Sequence, residues 1–250
     1  FTRSVGGNLL FGSVPDTERE PMQKKLQKLI QEQKAQASVT AGLGSVFIAI
    51  ADRYVKPGGR IALILPKALL SGVSWGPSRD LINKGYQIEY LIASQDPERW
   101  NFSESTDLSE VMMIMQKFDP DSPSPARPAV AINLWRNPNT TFEALSVASE
   151  VLRNGAPDLF EGQGGFEIML GDQKLGEAIA ISQEELKAQP SWLLPCAFAQ
   201  ADLTRAAYHL GHHSLRLPGQ RKGKRLPLCP LSDLGMLGPD RRDIHDGFKL

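Results

Sequence analysis

The chain has 250 residues, 41% of them hydrophobic, enough to bury the core of one or two domains. Its 28 basic and 28 acidic residues cancel, so whole-chain charge names no partner and any nucleic-acid signal must be local. Two cysteines in unrelated contexts, Cys196 and Cys229, make no disulfide framework and suit a reducing cytoplasm; no apolar run reaches bilayer length, and Phe1-Thr2-Arg3-Ser4 does not read as a secretory leader.

Residues 1–15, rich in Gly, Ser and Asn with apolar Leu9, Leu10 and Phe11, read as an ordered loop. Thr17 and Glu20 have capping-box spacing at the start of a helix, and Met22, Leu26, Leu29 and Ile30 fall on one of its faces. A mostly apolar helix follows, with Ser45 as its expected N-cap and Val46, Phe47, Ile48, Ile50, Tyr54 and Val55 along it; Lys56-Pro57-Gly58-Gly59 stops it. Ile61-Ala62-Leu63-Ile64-Leu65 is an uninterrupted apolar run closed by Pro66, the pattern of a strand buried on both faces. A helix is predicted over 78–84, ending at Gly85, and strands over 88–93 and 111–115. Helices alternating with short buried strands over 40–117 imply a covered α/β sheet.

Residues 119–128 hold four prolines and no core residue, and read as a linker or extended surface loop. Beyond them, 129–135 has strand character and 142–152 helical spacing. Residues 155–180 are Gly-rich and read as short strands and turns, 182–187 as a capped short helix, and 198–210 as a further helix.

Several stretches of this order resemble the second half of a class I methyltransferase catalytic domain, in particular the DNA adenine-N6 methyltransferases of restriction-modification systems. Those enzymes carry an Asn-Pro-Pro-Tyr/Phe loop, and Phe-Thr-Arg at the start of this chain is similar to its continuation. The segment from Gly44-Ser45-Val46-Phe47 through Lys56-Pro57-Gly58-Gly59 to Pro66 resembles the family's helix, turn and strand; Leu69-Leu70-Ser71-Gly72 with Trp75, Arg79 and Leu81 resembles the helix that follows; Ile88 to Ile92, Phe102 and Val111 to Met115 resemble the final strands and their joining loop. The ordered set covers residues 1–118; Pro230 to Gly235 and Asp240 to Ile244 more weakly resemble the entry to a target-recognition domain.

The resemblance implies a Rossmann-like half-sheet over 1–118, a linker at 119–128, a connecting subdomain with a mixed α+β character over 129–215, and a basic segment with the start of a target-recognition domain over 216–250. It implies S-adenosylmethionine as cofactor, adenine in double-stranded DNA as substrate, a cytoplasmic setting, and a specificity or restriction subunit as partner. The exocyclic amine of adenine is a poor nucleophile, because its lone pair is delocalised into the ring. In the family an Asn side chain and a Pro carbonyl accept its hydrogens and push that lone pair toward the sulfonium methyl. The target base must first leave the duplex and stack on an aromatic ring.

By resemblance Phe1 is that ring. Phe102 is either a second contact to the flipped base or an aromatic anchor for its loop. Ser45 is related to a segment that lines the cofactor, while Phe47 reads as core packing and Lys67 as a solvated lysine. The five cations Arg216, Arg221, Lys222, Lys224 and Arg225 suit contact with DNA phosphates rather than base readout. The family's Gly-rich cofactor loop, its acidic ribose-binding residue and the Asn and two prolines are absent, so the chain alone is expected to be inactive. The Phe start points to processing, a cloning boundary or a truncated reading frame.

His209, His212, His213 and Cys229 match no zinc spacing, so no metal is expected. A Gly-x-Ser-x-Gly elbow and a P-loop are both absent. Two other readings keep most of these observations: an RNA or protein-glutamine methyltransferase of the same fold, and a DNA-binding or specificity module without catalytic function.

Overall fold

The computed structural model describes residues 14–96, 98, 109–122, 125–160, 163–211, 214–215 and 224–225. Residues 1–205 cluster into one compact unit and 206–250 into another.

The first unit is built on a six-stranded mixed sheet. Its strands are β1 (Arg60–Pro66), β2 (Tyr86–Ser94), β3 (Glu110–Lys117), β4 (Ala129–Leu134), β5 (Phe166–Leu170) and β6 (Gln173–Ile181), in the order β1-β3-β2-β4-β6-β5. β3 is antiparallel to both β1 and β2, and β4 is parallel to β2. β1, β2 and β4 therefore run the same way and end on one edge, at Pro66, Ser94 and Leu134. β6 is antiparallel to β4 and to β5, so β5 shares the direction of β4. The sheet crosses the boundary drawn at 119–128, since the first strand after the proline-rich stretch adds directly to β2.

Alternation along the strands divides the core into two layers. On one face Ile61, Leu65, Ile88, Leu91, Met113, Met115, Ala129, Ala131, Ile179 and Ile181 pack with Ile48, Trp75, Ile82 and Trp192. On the other face Ile132, Leu134, Ile168 and Ala178 pack with Val147 and Val151. The first layer is covered by α2 (Leu43–Tyr54) and α3 (Gly76–Gly85), and the second by α4 (Thr141–Asn154). Three further helices are α1 (Asp16–Glu32), α5 (Gln183–Ala188) and α6 (Ala201–Gly211). The elements predicted over 40–117 form in the predicted order.

The turn into β1 shows why glycine is needed twice. Gly58 takes φ +71, and its N–H donates to the Lys117 carbonyl at 3.1 Å. A Cβ on Gly59 would sit 2.8 Å from Val55 Cγ2 and 2.9 Å from the Lys56 carbonyl oxygen. Both glycines serve the helix-to-strand turn.

Several expectations change. α1 begins at Asp16 behind Pro15 with no side-chain cap, so the Thr17–Glu20 capping box does not form. Proline at the N-cap fixes the backbone there, and Thr17 falls inside the helix. α2 begins two residues before Ser45, after Gly42 at φ +84, so Ser45 is a residue of its first turn rather than its cap. Phe47 is 56% exposed and does not pack in the core, because Ile48 holds the inward position of that turn. β1 is not buried on both faces. Ala62 is exposed and Ile64 half-buried, since among the described residues β1 is the outermost strand and helices cover only its Ile61–Leu65 face.

Residues 155–180 are more regular than their glycines suggest. They hold the hairpin β5–β6, whose second strand is nine residues long and buried through most of its length. α5 forms as predicted, with Ser182 accepting the Glu185 N–H at 3.1 Å. No helix among the described residues is long and apolar enough to cross a membrane. In the second unit, β7 (Ser214–Leu215) pairs antiparallel with β8 (Lys224–Arg225).

Candidate functional site

The carboxyl ends of β1, β2 and β4 make the candidate site. Ligands of open α/β sheets bind outside this edge, where the diverging connections leave a crevice. The buried polar residues Ser94, Glu110, Asn133 and Asn137 lie at or just beyond the strand ends there. Buried polar groups cost free energy unless bonded, so their presence at one edge marks it off from the apolar sheet interior.

The connection from β2 to β3 departs from this edge and returns to it. On the outgoing side, the Gln95 N–H donates to the Leu134 carbonyl at 2.7 Å, and Asp96 Oδ2 accepts the Asn137 N–H at 2.9 Å. On the returning side, the Lys67 N–H donates to the Ser109 carbonyl at 2.7 Å. Phe102 belongs to this connection but lies outside the described residues, as do Phe1, Arg216, Arg221, Lys222 and the histidines His212 and His213. Lys224 and Arg225 form β8.

A second strap crosses the edge from the far end of the chain. Gln95 Nε2 donates to the Cys196 carbonyl at 3.1 Å, and Asn133 Nδ2 donates to the Pro195 carbonyl at 2.9 Å. Asn133 Oδ1 is buried without a hydrogen-bond partner among the described residues. One hint of this residue stands in the sequence, a lone polar side chain near the end of the apolar run Ala129–Leu134, and nothing at that level ties it to residue 195.

Ser45 is fully buried. Its hydroxyl accepts the Ser38 N–H at 2.9 Å and shares a hydrogen with the Ser78 hydroxyl at 2.8 Å. Ser45 stands in the first turn of α2 and Ser78 in the first turn of α3, so the pair locks the two helix N-termini together. Both termini are on the carboxyl-edge side of the sheet, because α2 runs into β1 and α3 leaves it. With its oxygen closed to solvent, Ser45 fits a positioning role better than direct contact with a ligand.

Lys67, just past β1, is half-buried rather than solvated, and burial holds its ammonium pKa below the ordinary lysine value. Near it the fully buried Cys196 thiol is pushed up to about 12 by burial, against a smaller opposing pull from Lys67. A neutral, enclosed thiol is a poor nucleophile. Cys196 is therefore expected to resist a thiol-specific reagent at pH 8 in the native chain and to react only on unfolding, read site by site by mass spectrometry. The folded thiol keeps its proton where the unfolded one, with an ordinary value of 9.0, loses it, so stability from this group falls as pH climbs from about 9 toward about 12. Native-state labelling at a rate set by the reagent would show an accessible thiol instead.

A groove lies elsewhere. It is about 1030 Å³, is lined by Leu26, Leu29, Ile30, Val46, Ala49 and Ile50 among others, and runs between α1 and α2. Gly85 and Lys117 place it at the opposite edge, where β2 begins and β3 ends. Among the described residues no group of three or more His, Cys, Asp or Glu is arranged to hold a metal ion.

No protein-family profile matches the chain, and no curated protein matches it. Among solved structures it is similar to "a modification subunit of a putative type I restriction enzyme from Vibrio vulnificus YJ016". That similarity has 11% identity and a TM-score of 0.36, and it covers 56% of this chain and 28% of the other. A likeness at that level assigns neither family nor fold.

Proposed function

We propose that this chain carries the second half of the catalytic domain of an S-adenosylmethionine-dependent DNA methyltransferase that modifies the N6 amine of adenine in a restriction-modification setting. The observation that carries this reading is the ordered sequence resemblance from Phe1 to Phe118. The fold is compatible with it: an α/β sheet with parallel β1, β2 and β4 opening one edge to a substrate, and a β2–β3 connection tied at both ends to that edge. Double-stranded DNA is the substrate, and a specificity or restriction subunit is the partner in assembly.

On this reading Phe1 stacks on the flipped adenine and Phe102 makes a second contact to the base. The cations Arg216, Arg221, Lys222, Lys224 and Arg225 meet the phosphate backbone. Ser45 holds the first turns of α2 and α3 in place beside the cofactor, which supplies the methyl group. The described residues offer Ser45 no open contact to that cofactor, so its effect on binding is indirect.

The test is methyl transfer from labelled S-adenosylmethionine by the intact protein, offered DNA, tRNA and protein in separate reactions. Label in DNA, on adenine, is the expected result. Phe102→Ala should lower kcat/KM on DNA about fivefold or more, since an aromatic contact to one base is worth about 1–3 kcal/mol. Label in tRNA or protein but not in DNA overturns the proposal.

A further inference from the structure

Helices α1 and α2 each line the groove between them with an apolar triple. On α1 it is Leu26, Leu29 and Ile30; on α2 it is Val46, Ala49 and Ile50. Both have the i, i+3, i+4 spacing that puts three side chains on one helical face. Two helices packed on each other here would bury these positions. Instead α1 has no buried residue in its 17, and Leu29 and Ile50 are 45% and 46% exposed. Helices draw most of their stability from a packed apolar face, and α1 turns that face to an open groove of about 1030 Å³.

One end of the groove is tied across. Arg53 Nη1 of α2 donates to Gln33 Oε1, just after α1, at 3.0 Å. The turn that follows lines the groove at Lys34, Ala35 and Ala37. Lys34 takes φ +50 there, with its N–H on the Gln31 carbonyl at 3.1 Å and the Ala35 N–H on the Ile30 carbonyl at 2.9 Å. Glycine is the usual residue for this helix ending. Here the position carries a lysine, and its side chain reaches the groove.

Charge along the groove is one-sided. Lys34, Arg53, Lys84 and Lys117 line it against a single carboxylate, Asp52. That carboxylate is already engaged: it pairs with Lys117 at 2.9 Å and accepts the Tyr86 hydroxyl at 2.7 Å. Lys34 and Lys84 are exposed and make no ion pair among the described residues, and the bond from Arg53 goes to a neutral amide. Three cations are thus left uncompensated beside an apolar wall.

The wall and the charge together select the occupant. A nucleic-acid backbone matches the cations, but it lays a hydrated phosphate chain over Leu29 and Ile50. A small ligand needs a pocket that encloses most of its surface, and this groove is open. The α1 helix of a second copy brings Lys24, Lys25 and Lys28 against the same cations. An amphipathic helix with acidic flanks answers both features. Its apolar stripe completes a three-helix packing with α1 and α2, and its carboxylates meet Lys34, Arg53 and Lys84. A helix of about 12 residues, roughly 18 Å, spans the length of α2.

We propose that the groove between α1 and α2 is a docking site for an acidic amphipathic helix of a protein partner. It lies at the opposite edge of the sheet from the carboxyl ends of β1, β2 and β4, so a partner held there leaves the candidate site open. The proposal does not depend on the methyltransferase reading.

The test uses the 250-residue chain and a labelled designed peptide, read by fluorescence anisotropy. The peptide has about 14 residues, with Leu at i, i+3, i+4 and i+7, Glu on both flanks and Ala elsewhere. The expected result is saturable binding, at least tenfold tighter than that of the same peptide with Lys for every Glu. This preference should shrink as salt rises from about 50 to about 500 mM. Lys34→Glu with Lys84→Glu should weaken the acidic peptide at least tenfold, and Ile50→Ser should weaken it as a separate variant. All three side chains face water, so these variants should keep the parent melting temperature. Leu145→Glu, exposed on α4 over the other core layer, should leave binding unchanged.

Absence of binding at hundreds of micromolar overturns the proposal. So does equal binding of the two peptides, or binding indifferent to the groove variants. Displacement of the peptide by a DNA duplex whose own affinity falls in the same variants makes the groove a nucleic-acid site instead. Self-association of the chain that is lost in the same variants makes it a contact between copies.

Discussion

Gly176→Ala is expected to destabilise the chain by about 3 kcal/mol or more, at the upper end of what overpacking usually costs. Gly176 lies in β6, opposite Leu134 of β4 on one side and Ile168 of β5 on the other. A Cβ there would fall 2.3 Å from the Asn133 carbonyl oxygen and 2.9 Å from Leu134 Cα. Both obstacles are main chain, so no rotamer change relieves them. β4 would have to move off β6 as a strand. Leu175 beside it is displaced from the regular register between Ile168 and Met169, and its carbonyl accepts the N–H groups of both Trp135 and Arg136 at 2.7 and 3.2 Å. The close approach and the bulge are thus one feature, a strand crossing that only glycine fits. For a unit of this size the loss is a fall in melting temperature of roughly 6–12 °C or more. Gly171→Asn makes the comparison. Gly171 has φ +59 in the β5–β6 turn with nothing within 4 Å of its missing Cβ, and asparagine tolerates that conformation, so the change should cost about 1 kcal/mol or less. Equal melting of the two variants would mean that β4 and β6 are further apart than the structure has them.

The helices and strands over 40–117 were legible because their signals are local. Apolar runs bounded by Gly and Pro define β1, and Pro77 and Gly85 bracket α3. The position of β1 within the sheet was not legible, because a run such as Ile61 to Leu65 looks the same in a covered strand and in an outer one with a covered face. Ser45 and Ser78 are 33 residues apart, and the spacing of neither hints at the other. β6 was hidden by Gly176, which lowers strand propensity at the position where the sheet requires it. The carboxyl-edge site was half legible: the strand ends and their connection could be read, whereas Asn133, Gln95 and the Pro195–Cys196 strap meet only through contacts 62 and 101 residues apart.

Trp192→Ala is expected to cost about 3–5 kcal/mol and to lower the melting temperature of the whole sheet in one transition, by roughly 6–20 °C. Trp192 is 1% exposed in the same core layer as Leu65, Leu69, Leu70 and Ile82. Its main-chain N–H donates to the Leu70 carbonyl at 2.8 Å, and the Ser191 hydroxyl reaches the same oxygen at 3.2 Å. Arg79 Nη1 holds the neighbouring Leu69 carbonyl at 2.8 Å. A segment late in the chain therefore closes the core between the turn after β1 and the helix α3. Were residues 129–215 a subdomain with its own core, removing the indole would shift one transition and leave a second, for 1–118, in place. The packing argues instead for loss of both together, because the cavity opens inside the layer that β1, β2 and β3 share. Trp192→Phe keeps most of the apolar volume and should recover more than half of the lost stability. Calorimetry of the two variants decides between one shifted transition and two. One transition would also mean that the carboxyl edge, with its Gln95 and Asn133 bonds to the strap just after Trp192, cannot hold its shape without the second half of the unit. Activity assigned to residues 1–118 would then depend on residues that the ordered resemblance does not reach.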